Sequence, residues 1–165
     1  MDLFVYLVML FLNEGAFEMD NVNQKDLVCM ARNVYHEARG EHMSGKAAVA
    51  QVVMNRVQSS SFPDDVCGVI DQPYQFQWTH DGRSDKVTVK NKRELENLKE
   101  IISISAHSLA GHFKGSLDGA TYFYNAAVVS PCWENTFDDF IFVGNHTFAL
   151  NPNGKTTCYD MAMNG

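Results

Sequence analysis

The chain has 165 residues and a mass of 18.5 kDa, enough for one hydrophobic core and too few for two. Apolar residues make up 45% and charged residues 20%, close to the globular average, which excludes a collagenous, coiled-coil or disordered chain. Thirteen Lys+Arg against twenty Asp+Glu leave a net charge of -7 and a pI near 5.2. Nucleic acid is gripped by clustered cations and is therefore a poor match, and anionic lipid or wall polymer would be repelled. A neutral or mixed-charge partner fits better.

Leu3 to Leu12 is an unbroken run of ten apolar residues, against the roughly 20 that a membrane helix needs. Asp2 precedes it, Asn13-Glu14-Gly15 follows, and the first basic residue is Lys25, so the flanks of a secretory signal are missing. Residues 1–22 are expected to form an apolar N-terminal segment, a core helix or strand, with an export or membrane segment as the alternative. Asn23 reads as an N-cap, with Asp26 in the first turn. Leu27, Met30, Ala31, Val34, Tyr35 and Ala38 then recur at helical spacing until Gly40, which stops the helix. A second helix opens at Ser44-Gly-Lys. Ala47 to Val57 is apolar on nearly every side, which marks the central buried helix. A short helix capped by Asp64 is expected before Ile70, and an aromatic, Gly- and Asp-containing loop from Gln72 to Asp85. Asn91-Lys-Arg-Glu94 opens the clearest helix as a capping-box variant, and its stripe from Leu95 to Leu109 closes at Gly111.

Beyond that point the period changes. Ala120 to Asn125 and Phe140 to Phe148 are aromatic and β-branched, predicting two short paired strands. Residues 151–165 read as a polar, loosely held C-terminal tail. The fold class is α+β, mostly helical with a small late antiparallel sheet, and the main domain spans residues 23–150. Cys29, Cys67, Cys132 and Cys158 include no CxxC pair, so a structural zinc site is not expected, and one or two disulfides form if the chain is exported.

Glu37 is the residue on which chemistry centres. It lies at the edge of the apolar stripe, in the last turn before Gly40. Partial burial, the negative end of the helix dipole and the neighbouring Glu41 all favour a protonated carboxyl, while Arg39 opposes them. A general acid needs that protonation. A surface Glu on a helix edge is the plainer alternative.

The surrounding residues decide between the two. Tyr35-His-Glu-Ala-Arg-Gly-Glu41, Gly45-x-x-Ala-Val-Ala-x-Val-Val-Met-Asn-Arg-Val57, Phe62-Pro-x-x-Val-Cys-Gly-Val-Ile70, Gln75-Phe-Gln-Trp78, Gly119-Ala-Thr-Tyr-Phe-Tyr-Asn125 and Gly144-Asn-His-Thr-Phe148 follow in this order. Together they resemble the SleB/CwlJ-type cell-wall hydrolases, which include spore cortex-lytic enzymes and phage endolysin-like relatives. The resemblance covers residues 27–149. It implies a lysozyme or lytic-transglycosylase fold and cleavage of the β-1,4 bond between N-acetylmuramic acid and N-acetylglucosamine in peptidoglycan. It implies Glu37 as catalytic acid and then base, without cofactor or metal. Where family members often carry Tyr after the final His-x-Phe, this chain has Ala149.

Ordinary glycosidases add a second carboxylate at a fixed separation. Asp71, Asp81, Asp85 and Glu41 are the candidates, and no spacing singles one out. A lytic transglycosylase dispenses with it, because the sugar's own N-acetyl group and 6-hydroxyl take over. Lytic cleavage is therefore favoured over lysozyme-type hydrolysis.

Tyr74, Phe76 and Trp78 in their polar loop are read as a substrate wall with Gln75, a hydrophobic cluster being the alternative for Phe76. Thr121, Tyr122, Tyr124 and Asn125 offer hydroxyls, rings and an amide from a strand, though alternation keeps all four from sharing one face. By the resemblance, Tyr124 and Asn125 are the better pair. Glu41 and His146 are auxiliary candidates, with a backbone-bonded structural role favoured for His146. His107 and His112 are read as surface or capping residues.

Two rivals remain in view. The order Cys29, His146, Asn151 is that of a papain-like cysteine peptidase, but Cys29 sits inside an amphipathic helix without the helix start that activates a thiolate. A non-catalytic glycan-binding or virion structural protein with a lysozyme-like shell is the alternative from another class. The expected partner is peptidoglycan glycan, met by a monomer, with membrane contact only through the N-terminal run. The expected setting is bacterial lysis, either by a phage-encoded lysin passing from host cytoplasm to wall, or in the cell envelope.

Overall fold

A computed structural model describes residues 2–13, 22–73 and 75–155. Among the described residues, five α-helices precede a three-stranded antiparallel sheet: α1 (Leu3–Asn13), α2 (Gln24–Ala38), α3 (Met43–Val57), α4 (Val66–Asp71), α5 (Lys92–Leu109), β1 (Tyr122–Tyr124), β2 (Phe137–Val143) and β3 (His146–Pro152). The sheet order is β1-β3-β2. This is the expected α+β class, helices first and a small late sheet.

The N-terminal run forms α1, whose Phe4 and Val8 lie one turn apart and are fully buried in the core. Arg32 of α2 places its guanidinium over the Phe4 ring and pairs with Asp2. No helix among the described residues is long and apolar enough to cross a membrane.

Asn23 caps α2, accepting from the N–H groups of Lys25 and Asp26. Leu27, Met30, Ala31, Val34 and Ala38 are buried as the 3.6-residue period requires. Helix α3 starts at Met43, a residue earlier than expected, because the His42 ring accepts the Ser44 N–H. It is the central helix and is buried nearly all round, but not by apolar groups alone. Lys46 is buried and reaches Asn97 and Glu100 of α5 at 2.5 and 2.6 Å, tying the two helices. The cap of α4 is Asp65, which accepts the Gly68 N–H at 2.8 Å, in place of the expected Asp64. Asn91 caps α5, accepting the Glu94 N–H at 2.9 Å, and the Glu94 side chain reaches back one residue beyond the capping-box position, to the Lys90 N–H at 2.7 Å.

The predicted strand Phe140–Phe148 is two strands. Gly144 at φ 58 and Asn145 make a two-residue turn that folds β2 back on β3. A glycine at the first turn position matches the twist of such hairpins, and Gly-Asn between apolar runs was the overlooked signal. Strand β3, sheet centre and packed on both sides, buries His146, Thr147, Phe148 and Ala149. It continues to Pro152, so the segment expected to be loose from residue 151 begins in the sheet. Asn151 and Asn153 are held there by Asp139 and Asp138. Residues 156–165 lie outside the described residues.

A disulfide joins Cys29 of α2 to Cys67 of α4, and no cysteine among the described residues is free. Cys29 therefore has no thiolate to offer, and the cysteine-peptidase reading fails at its nucleophile.

Candidate active site

Two polar side chains of α3, Asn55 and Arg56, fasten the helical half to the start of the sheet, and a third, Gln51, holds Asn55 in place. Gln51 donates to Asn55 at 2.8 Å, Asn55 donates to the Ala120 carbonyl at 2.9 Å, and Arg56 Nε donates to the Thr121 carbonyl at 2.7 Å. These bonds fix where β1 begins. They set β1 beside the last turns of α2 and α3, where Glu37 and Arg56 stand.

The result is a cleft of about 390 Å³ lined by Glu37, Arg56, Gln75, the run Phe123-Tyr124-Asn125, Val128, Val129, Pro131, Trp133 and His146. Glu37 is the one carboxylate among its described lining residues. Burial pushes the Glu37 carboxyl up to about 7, against the opposing pull of the Arg56 guanidinium. Arg56 is 3% exposed. Its guanidinium lies 5.1–5.6 Å from the ring centres of Phe62, Phe76 and Tyr122, and its Nη1 is buried without a hydrogen-bond partner. Burial lowers its pKa to about 10, and Tyr122 and Glu37 act to raise it. It stays a cation at neutral pH.

His146 sits on the β3 side, packed edge-on to Phe123 at 5.2 Å, with Nδ1 buried and unpartnered. Its ring is part of the cleft wall, and its Nδ1 makes no backbone hydrogen bond. Burial lowers its pKa, with Glu41 opposing, so the ring is neutral near pH 7. Tyr124 donates to Glu134 at 2.6 Å, and Ser130 donates to the other oxygen of Glu134 at 3.0 Å. Burial and that carboxylate push the Tyr124 hydroxyl up to about 12, so it remains protonated.

Of the residues singled out from sequence, Glu37, Gln75, Tyr124, Asn125 and His146 meet in this cleft. Phe76 does not: it is 1% exposed and belongs to the core, beneath Arg56 and near Phe123. Trp78 does not either. It stacks on His36 at 4.5 Å and donates its indole N–H to Asn33 at 2.8 Å, which pins the loop to α2. Tyr74 lies outside the described residues. Thr121 and Tyr122 line a neighbouring cavity instead. Glu41 turns away from Glu37 to bind Asn145 in the β2–β3 turn.

None of Asp71, Asp81 and Asp85 is among the residues lining the cleft. Asp71 is exposed at the end of α4, Asp81 accepts the Arg83 N–H, and Asp85 offers its carbonyl to His36. Sequence reasoning missed Arg56, Phe123, Trp133 and the Val128-Val129 rim. A cation in the last turn of a helix buried nearly all round was a usable signal for Arg56. Trp133 sits in a short 3₁₀ turn whose residues carry no periodicity. Among the described residues no group of three or more His, Cys, Asp or Glu is placed to hold a metal.

A half-buried carboxyl with its pKa raised to about 7, in a cleft between a helical lobe and a small sheet, defines the site class as that of a carboxyl-dependent hydrolase or lyase. The cell wall hydrolase family model matches residues 40–149, and the chain belongs to that family. The matched span opens just after Glu37. Spore cortex-lytic enzymes of Bacillus cereus and Halalkalibacterium halodurans are each 32% identical, over 82% and 76% of this chain and 48% and 35% of their own length. The chain thus spans about half, or less, of these relatives. The catalytic domain of the germination-specific lytic transglycosylase SleB from Bacillus anthracis superposes with a TM-score of 0.63 at 31% identity, covering 79% of this chain and 98% of that domain. The catalytic domain of the Bacillus cereus SleB protein gives 0.63 at 30% identity, covering 82% and 99%. The similarity therefore falls on the catalytic domain, and the fold is that of the SleB catalytic domain.

Proposed function

We propose that this chain cleaves peptidoglycan glycan strands at the β-1,4 bond after N-acetylmuramic acid, as a lytic transglycosylase with Glu37 as acid and then base. One observation carries the reading: Glu37 is the single carboxylate among the described residues lining the cleft, and burial raises its pKa to about 7, so that a substantial fraction keeps its proton at neutral pH. Glu37 gives its proton to the bridging oxygen, and the bond from that oxygen to C1 of the muramic acid breaks. The sugar's N-acetyl oxygen supports the cationic C1. The ionised Glu37, now stabilised by the nearby Arg56 cation, takes the proton of the C6 hydroxyl, and O6 closes on C1. The products are a 1,6-anhydro-muramic end and a new non-reducing end, with no water consumed. Hydrolysis would require a second carboxylate to activate or replace water, and the cleft offers none among its described residues.

The Cys29–Cys67 disulfide supports action in the cell envelope or outside the cell, since reducing cytosol opens such bonds. Bacterial lysis by a phage-type lysin is the finer reading we attach to this chemistry; a lysin crossing host cytoplasm would form this bond after leaving it. The groove is built within one chain, which supports a monomer. The test is digestion of purified peptidoglycan by wild type and Glu37→Gln, with product masses read by mass spectrometry. Anhydro-muramic ends from wild type and none from the variant are expected. Reducing muramic ends would overturn the lytic step, and uncut strands the whole reading, leaving a glycan-binding protein.

A further inference from the structure

We infer that Glu134 is a positioning residue: its carboxylate clasps the loop 125–131 to the sheet, and the apolar lip of that loop keeps water away from C1 of the muramic acid. This role rests on the lytic reading above and names what fixes its product. The N-acetyl support that spares C1 a second carboxylate leaves it open to one competitor. A water oxygen can bond to C1 in place of O6 and pass its proton to the ionised Glu37, which leaves a reducing muramic end. Excluding water from a closed site suppresses such leakage.

The lip is Val128-Val129. Both residues line the same cleft as Glu37, and they are 80% and 47% exposed. Their methyl groups offer a water no hydrogen bond to hold it. On the incoming leg of the loop, the Asn125 carbonyl accepts the Val128 and Val129 N–H groups, both at 3.0 Å, and the Asn125 side chain accepts the Ala127 N–H at 3.0 Å. The outgoing leg is held by Glu134. One Glu134 oxygen accepts the Ser130 hydroxyl at 3.0 Å, the other accepts the Tyr124 hydroxyl at 2.6 Å, and the Glu134 N–H donates to the Pro131 carbonyl at 3.0 Å. Tyr124 is a fixed post, 8% exposed and paired with Thr147 between β1 and β3. Trp133, edge-on to Tyr124 at 5.4 Å, lines the cleft with Pro131. Hydrogen bonds to an ionised acceptor are roughly twice as strong as neutral ones, which suits a clasp. Glu134 is absent from the cleft lining and both its oxygens are engaged, so it is not a second catalytic carboxylate.

The test is digestion of purified peptidoglycan by the full chain and its variants, with the ratio of reducing to anhydro-muramic ends read by mass spectrometry. Glu134→Ala is expected to raise that ratio about tenfold, equivalent to about 1.4 kcal/mol between the two barriers. Glu134→Gln, which can still bridge two hydroxyls, should restore a ratio near that of wild type. Val128→Ser, at an exposed position that leaves the clasp intact, should raise the ratio by placing a water-binding hydroxyl at the lip. Loss of folded protein lowers total product but not the ratio, so a purely structural Glu134 would leave it unmoved. An unchanged ratio in Glu134→Ala or in Val128→Ser overturns the proposal, and if Glu134→Ala fails to fold, Val128→Ser decides alone. A Glu134→Gln ratio as high as that of Glu134→Ala overturns it as well, since charge and not the clasp would then be at work. Anhydro ends from wild type with unmoved variants reject the clasp and keep the lytic reading; reducing ends alone from wild type reject both.

Discussion

The Glu41 carboxylate accepts two hydrogen bonds from Asn145, one from its backbone N–H at 3.2 Å and one from Nδ2 at 2.9 Å, across 104 residues of chain. Burial acts to raise the pKa of Glu41, but these bonds and His146 outweigh it and the net shift is downward. Glu41 thereby anchors the β2–β3 turn to the α2–α3 link, and the turn sets His146 opposite Glu37. Two glycines make room for it. A Cβ on Gly45 would stand 2.9 Å from Glu41 Cβ, and a Cβ on Gly144 would collide with Glu41 Oε2.

From that contact, Gly144→Ala is expected to destabilise the protein by about 1–3 kcal/mol, since it adds the collision to a strained backbone at φ 58. In a Glu41→Ala background the same substitution should cost less, because the collision is gone while the backbone strain stays. Thermal unfolding of the four proteins gives the coupling, and strict additivity would show that Glu41 and Gly144 do not press on each other.

Activity should fall with rising pH through about 7, where the Glu37 acid is lost. Arg56 pulls that value down, so Arg56→Gln should move the alkaline limb of kcat/KM upward in pH while lowering kcat, because the Glu37 acid becomes weaker and its ionised form loses its counter-charge. Arg56→Lys should keep the limb near its wild-type position. An unmoved limb in Arg56→Gln would mean that the guanidinium serves packing alone.

Glu37 also makes stability depend on pH, with a sign opposite to that of most carboxylates. Its folded value, raised from 4.5 to about 7, means that the native state holds the proton where the unfolded chain has lost it. Stability from this group is complete below about 4.5 and declines as pH rises through about 7. At about 1.4 kcal/mol per pH unit the cost levels off at roughly 3.5 kcal/mol in alkaline solution. Glu37→Gln should therefore raise Tm at pH 8 and change it little at pH 4.5. Equal effects at both pH values would contradict the buried titration.

The Cys29–Cys67 link closes a loop with a sequence separation of 38, for which chain entropy predicts a stabilisation of about 4 kcal/mol. Replacing both cysteines by Ser, or unfolding in reductant, should lower the urea midpoint accordingly. An unchanged midpoint would show that packing of α4 on α2 and α3 suffices.

Local pattern made much of this molecule legible. Asn23 and Asn91 announced their helices because a cap is a contact between neighbours in sequence. The stripe of α2 placed Glu37 at the boundary of the core, since helical period alone assigns faces. Other positions misled for an equally physical reason. Phe76 and Trp78 looked like a binding wall because their loop is polar, yet one fills the core and the other is held by Asn33 and His36.

What the sequence by itself determined is the order of elements, the one-core size, the candidate acid and the family pattern. Each of those depends on residues a few positions apart or on composition. Only the tertiary structure decided that Arg56 faces Glu37, that Glu41 serves Asn145 and not the acid, and that Cys29 meets Cys67. Those pairings join segments separated by whole helices or by most of the chain. No periodicity encodes them, because they follow from how α3 and the sheet pack together, not from the preference of any one segment.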